Sequence, residues 1–227
     1  MKQFASFLFI FTLSIACRVT AEEVALAGAE TGKWTMDYDA ALKLANEKQL
    51  PLLLNFTGSD WCGWCKLMDK NVFAGEAWKT FAKDNAVLVT LDFPRDPLKV
   101  PQDYLARNRE LQKKFGVQGY PTYVVLDSDG ETVLGQLGAG QDKTPESFVT
   151  EFKNTARFSA ASIKAYSEAN PDKAAAFKAA IEDKKKVEAE LRAWIGTRPE
   201  QNEANNKIFS DFKKRMEAAA EKLDEFQ

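Results

Sequence analysis

Apolar positions along this chain follow two regimes, short unbroken runs up to about residue 158 and helically spaced stripes beyond it. In the first regime Trp34, Thr35 and Met36 read as a short strand. Asp39 then reads as the cap of a helix carrying Ala41, Leu42, Leu44 and Ala45, with Pro51 marking the turn after it. Leu52 to Phe56 form a continuous apolar run, the pattern of a strand buried on both faces, and Thr57-Gly58-Ser59-Asp60 closes it with a turn. From Cys62 the spacing turns helical through Leu67, Met68 and Val72, and a second helix is predicted over 75–83. Residues 86–93 read as another buried strand. Pro94, Pro97 and Pro101 interrupt the chain before a helix over 102–115. Strands over 123–126 and 132–137 flank the turn Asp127-Ser128-Asp129-Gly130. Thr144 and Pro145 then open an amphipathic helix through Phe148, Val149 and Phe152.

Beyond Phe158 strand-like runs cease and Ala, Lys and Glu dominate. Phe177, Ile181, Val187, Leu191 and Trp194 make one apolar stripe. Gly196 to Pro199 break it, and Phe209, Phe212, Met216, Ala219, Leu223 and Phe226 make a second, cleaner one. This predicts a helical hairpin, its stripes folded on each other or on the preceding domain, or left as an arm for dimerisation or a partner. The expected division is 1–21, 22–33 as a flexible lead-in, 34–158 as an α/β domain and 159–227 as the helical extension.

The leading segment changes where the chain is expected to work. Met1-Lys2-Gln3 precede an apolar run from Phe4 to Ala16, the length of a signal-peptide core and short for a membrane span. Val19-Thr20-Ala21 fits cleavage after Ala21, which predicts soluble export; the competing reading takes Leu13-Ser14-Ile15-Ala16-Cys17 as a lipid-attachment site with Cys17 acylated. The whole chain carries 31 basic and 33 acidic residues, a balance that points to no nucleic acid and no anionic membrane surface. Histidine is absent, which excludes a Ser-His-Asp triad, a Cys-His nucleophile pair and histidine-held metal.

Once residues 1–21 are set aside, Cys62 and Cys65 are the only cysteines, spaced C-x-x-C within Trp61-Cys62-Gly63-Trp64-Cys65-Lys66. A pair that opens a helix puts its first thiol among unpaired backbone N–H groups, which favour a thiolate, and its second within bonding reach. Two thiolates fill half a tetrahedral metal site, so a metal-binding reading needs a second chain.

The W-C-x-x-C-K segment after a buried strand, with Gly119-Tyr120-Pro121-Thr122 before a later one, resembles the thioredoxin superfamily over about residues 34–155. It is most similar to exported bacterial domains related to the C-terminal domain of transmembrane disulfide reductases. The resemblance implies a thioredoxin fold, a mixed central sheet flanked by helices, here with the C-terminal α-helical hairpin as an extension. It implies Cys62 as the exposed nucleophile that forms a mixed disulfide with a client, and Cys65 as the resolving cysteine, with this redox disulfide in place of any cofactor. Pro121 matches a cis-proline facing the disulfide, and Trp61, Trp64, Tyr120 and Thr122 become candidate substrate contacts. Protein thiols and disulfides are the implied partners, with a membrane disulfide reductase as electron donor. The strongly oxidising members carry a histidine between the cysteines, whereas Gly63-Trp64 here argues for a reducing or intermediate potential.

One departure stands out. Asn55 occupies the place of the buried aspartate that accepts the proton of the second cysteine, and an extra residue lies between Phe56 and Trp61. Deprotonation of Cys65 is then expected to depend on water or on another carboxylate such as Asp60, with Lys66 adding positive charge nearby. A thiol–disulfide oxidoreductase acting outside the cytoplasm, in the periplasm, is the function this predicts. The alternative is a binding or scaffolding protein that works through its helical hairpin.

Overall fold

A computed structural model describes residues 24–226. The expectations for the leader, for cleavage at Ala21 and for Cys17 lie outside the described residues.

Strand β1 (Trp34–Thr35) is followed by α1 (Tyr38–Lys48), β2 (Leu52–Thr57), α2 (Gly63–Met68), α3 (Glu76–Asn85) and β3 (Val87–Asp92). Helix α4 (Gln102–Lys114), strands β4 (Thr122–Leu126) and β5 (Val133–Gly138) and helix α5 (Pro145–Ala156) complete the α/β part. The sheet runs β1-β3-β2-β4-β5. The first three of these strands are mutually parallel, and β4 and β5 are antiparallel to their neighbours.

Alternation along β2 divides the core. Leu52, Leu54 and Phe56 meet Tyr38, Ala41 and Ala45 of α1 together with Leu111 and Phe115 at the end of α4. Leu53 belongs with Met68, Trp78, Ala82, Phe148 and Phe152 on the opposite face, so α2, α3 and α5 cover that side. Phe73 sits at the hub there, its ring edge-on to Trp34, Trp78, Tyr123 and Phe148 at 5.2–5.5 Å. Both faces are buried, which is why β2 and β3 read as unbroken apolar runs.

The expected cap at Asp39 is corrected: Asp37 caps α1, its carboxylate accepting from Ala40 N–H at 3.0 Å and Gly28 N–H at 3.0 Å. The helix starts earlier because Tyr38 is buried against the core, which places its first turn ahead of Asp39. Thr144 caps α5 as expected, in a reciprocal capping box with Ser147.

The extension contains the expected hairpin, α7 (Ala174–Gly196) and α8 (Glu203–Asp224), and a helix the periodicity did not show, α6 (Ala160–Ala169). The two stripes fold on each other: Trp194 faces Phe209 and Phe212, and Phe177 meets Phe226 at 5.4 Å. Arg215 pairs with Glu190 and Lys222 with Asp183 across the hairpin. Tyr166 of α6 packs on Phe177 at 4.3 Å, and Phe158 closes the same small core. The buried Asp127 carboxylate ties this part to the sheet by accepting from Ala160 N–H at 2.8 Å. No described helix is long and apolar enough to cross a membrane.

Candidate active site

The turn between β2 and α2 is built from backbone and one buried carboxylate. Ser59 donates through its N–H and hydroxyl to Asp92 at the end of β3, at 2.8 and 2.6 Å, and Cys62 N–H reaches back to Gly58 O at 2.8 Å. Gly58 is required here, since a Cβ on it would lie 2.4 Å from the Trp61 ring. The indole thus lies flat along the turn and donates to Phe93 O at 2.8 Å. The Arg95 guanidinium lies over the ring, 5.6 Å from its centre.

Cys62 is the N-cap of α2, and its Sγ accepts from Cys65 N–H at 3.1 Å. The two sulfurs are bonded to each other, with the Cα atoms 5.3 Å apart. The resemblance implied an exposed first cysteine. In this oxidised state Cys62 is 5% exposed and Cys65 1%, because the Cys62 sulfur is folded back over the helix N-terminus. The exposed groups are its neighbours, Trp61 at 37% and Trp64 at 51%.

The Tyr120–Pro121 bond is cis, as the resemblance implies. Tyr120 stands edge-on to Trp61 at 5.6 Å and is held by Gln112, which donates to its hydroxyl at 2.7 Å. Pro121 is buried, and Thr122 donates to Gly119 O at 2.8 Å. The fold therefore brings Trp61 and Tyr120 together and leaves the Trp64 ring on the solvent side.

Asp60 is turned away from the cysteines. Its carboxylate accepts from the N–H groups of Arg95 and Asp96, bonds that hold it below the usual aspartate range, and it serves the loop after β3. The expectation that Asp60 serves Cys65 is corrected on this geometry. Lys66 donates to Asp60 O at 2.8 Å.

A carboxylate the sequence reading passed over lies behind the motif. Asp69 is on the same helical stripe as Cys65, Met68 and Val72, where the helix widens into a π turn over Asp69–Phe73. It lines a cavity of about 480 Å³ together with Asn55, Thr57, Thr90, Trp34, Phe73 and Lys66. Desolvation, then the charge of Asp92, push its pKa up to about 6. Asn55 Oδ1 and the Tyr123 hydroxyl are buried with no hydrogen-bond partner among the described residues. The fourth residue after the second cysteine of a C-x-x-C helix was the available signal, since that spacing keeps one face.

Chemically, the site can open and close one S–S bond at a helix N-terminus beside an aromatic surface. Among the described residues no cluster of Cys, Asp or Glu is arranged to hold a metal ion.

Comparison with known proteins agrees with this architecture. The disulfide bond reductase DsbH of Chlamydia pneumoniae is 34% identical over 101 residues, which are 44% of this chain and 60% of DsbH. The thioredoxin-related protein DsbJ of the same organism is 28% identical over 107 residues, 46% of this chain and 30% of DsbJ. The chain thus spans less than two thirds of the length of the curated relatives it matches. A solved DsbH oxidoreductase structure superposes with a TM-score of 0.51 at 25% identity, covering 68% of this chain and 96% of that one. The thioredoxin-like domain model matches residues 38–154, more than half of the sequence, and the chain belongs to that family.

Proposed function

We propose that this chain is an exported thiol–disulfide oxidoreductase that reduces or exchanges disulfides in proteins outside the cytoplasm. The observation that carries the reading is the Cys62–Cys65 disulfide at the N-cap of α2, rimmed by exposed tryptophans. In the reduced state the Cys62 thiolate, stabilised by the backbone N–H groups at the helix N-terminus, attacks a client disulfide and displaces one client thiolate. Cys65 then attacks Cys62, restoring the internal S–S bond and releasing the second client thiol. Two electrons pass from the dithiol to the client. Trp61, Trp64 and Tyr120 supply apolar contact, and Pro121 with Thr122 frames the backbone beside them. The name of the DsbH relative and the absence of histidine both support the reducing direction. Export rests on the pattern of residues 1–21, and a membrane disulfide reductase is the proposed electron donor.

The reduction potential of the pair tests the direction. A value near about −270 mV, that of thioredoxin, makes the chain a donor, and one near about −120 mV makes it an oxidant. Cys65→Ser is expected to trap a client mixed disulfide on Cys62, visible on a non-reducing gel. A Cys62→Ser variant that traps as well would remove Cys62 from the role of nucleophile.

The second reading, a partner-binding role for the hairpin, is favoured by the exposed Ile195, Ile208 and Phe209 near its tip. An activity that persists in the Cys62→Ser, Cys65→Ser double variant belongs to that hairpin.

A further inference from the structure

The segment between β3 and α4, residues 93–101, is tied to the cysteine turn by bonds that leave its one exposed large apolar side chain in water. At its start Phe93 N–H donates to Thr57 O at 2.9 Å, and Phe93 O receives the Trp61 indole. Asp60, next to Trp61 in the turn, accepts from Arg95 N–H and Asp96 N–H, each at 3.0 Å. Asp96 in turn caps a short 3₁₀ turn, Pro97–Lys99, by accepting from Leu98 N–H at 3.0 Å. Val100 is buried and Pro101 is the cap residue of α4, so the far end is fixed as well. Between these anchors Leu98 is 92% exposed, and packing within this chain accounts for none of its placement.

A single leucine on a surface needs no explanation, but this one is continuous with the rim of the disulfide. Phe93 lies 5.2 Å from Tyr120, and Tyr120 lies edge-on to Trp61, so aromatic contact runs from the cis-proline to the segment that carries Leu98. The charges there are sorted by direction. Lys66, Arg95 and Lys99 are exposed and form no ion pair among the described residues. The carboxylates of Asp60 and Asp96 are instead turned onto backbone N–H groups. Lys99 stands near enough to Asp60 to add to the lowering of its pKa that those N–H groups cause. An apolar side chain among outward-facing cations is complementary to a segment that is both apolar and acidic.

We propose that Leu98, set beside the motif by Asp60, selects clients whose disulfide is flanked by an apolar side chain and a carboxylate. The inference rests on the oxidoreductase reading above and names the class of client for the same site. An extended client segment reaches from the disulfide to Leu98, with its apolar side chain on the leucine and its carboxylate toward Lys99. Two features of the sequence meet in this arrangement. The extra residue between Phe56 and Trp61 lengthens the turn that carries Asp60, and the proline-bounded segment supplies the N–H groups that Asp60 holds.

The test uses the full reduced chain and three disulfides. One is a small aryl disulfide, and two are peptides with an internal disulfide, flanked on both sides by Leu-Glu in one and by Ser-Lys in the other. The second-order rate constant for oxidation of the Cys62–Cys65 dithiol is read for each by tryptophan fluorescence. The Leu-Glu peptide is expected to react roughly 10-fold faster than the Ser-Lys peptide. Leu98→Ser should remove most of that preference and leave the aryl disulfide rate in place, whereas Leu98→Met should keep both. Lys99→Glu should slow the Leu-Glu peptide and speed the Ser-Lys peptide. Asp60→Ala should weaken the preference while amide exchange at Arg95 and Asp96 becomes faster. Equal rates for the two peptides in the unaltered chain overturn the proposal, as does a Leu98→Ser variant with its preference intact. Slowing of the aryl disulfide by Leu98→Ser overturns it too, since that marks a change in the cysteine turn itself. A dimer that sedimentation detects and Leu98→Ser dissolves, with the peptide preference unchanged, assigns the leucine to a second copy of the chain instead. Failure of the unaltered chain to reduce the aryl disulfide would overturn the oxidoreductase reading.

Discussion

Gly58 and Trp61 form a pair in which one residue's lack of a side chain determines where the other's indole lies. Gly58→Ala is expected to push the indole off the turn, break its bond to Phe93 O and shift the tryptophan emission, while the thiol count stays the same. An unchanged spectrum would show that the turn absorbs the extra methyl. Asp69 makes a prediction for stability. Its pKa is raised in the folded chain, so between about 4 and about 6 the folded state holds a proton that the unfolded state has lost. Stability should fall as pH rises through that window and level off above it. Asp69→Asn is expected to remove the fall and to raise the melting temperature at pH 7 but not at pH 4, as followed by circular dichroism.

At the scale of the element, legibility followed burial. Strands β2 and β3 were readable because both faces are covered, and the Thr144-Pro145 start of α5 because capping chemistry is local. Helix α6 escaped notice because Ala160–Ala169 offers only Ile163 and Tyr166 as large apolar positions, and none of its residues is fully buried. The α1 start was misplaced by one turn fraction because Asp37 and Asp39 are both acceptable caps, and only the burial of Tyr38 decides between them. The spacing of the cysteine motif was legible, whereas the burial of Cys62 and the environment of Asp69 were not: desolvation and then the charge of Asp92 raise the Asp69 pKa, and Asp92 comes from a strand distant in sequence. Asp37→Ala should cost about 1 kcal/mol in denaturant unfolding at neutral pH. Backbone N–H groups of Ala40 and Gly28 depress the Asp37 pKa. The contribution is therefore complete above the ordinary aspartate pKa and lost as pH falls through the folded value.

For the whole molecule, the sheet and the extension have separate cores. Phe177, 3% exposed, belongs to the second with Ala180, Ile181 and Leu223. Phe177→Ala is expected to destabilise the helices by about 3 kcal/mol and to speed amide exchange in α6 to α8, with the rate of disulfide reduction unchanged. A parallel loss of both would mean that the two cores unfold together. The attachment point gives the extension its geometry. Cys62 follows the end of β2 at Thr57, whereas Asp127, which holds the start of α6, follows the end of β4 beside Leu52, where β2 begins. Five residue steps of strand separate these ends, about 17 Å. The molecule is bipolar in consequence, and a surface or protein that grips the helices holds it from behind, leaving the dithiol pole turned outward toward whatever passes.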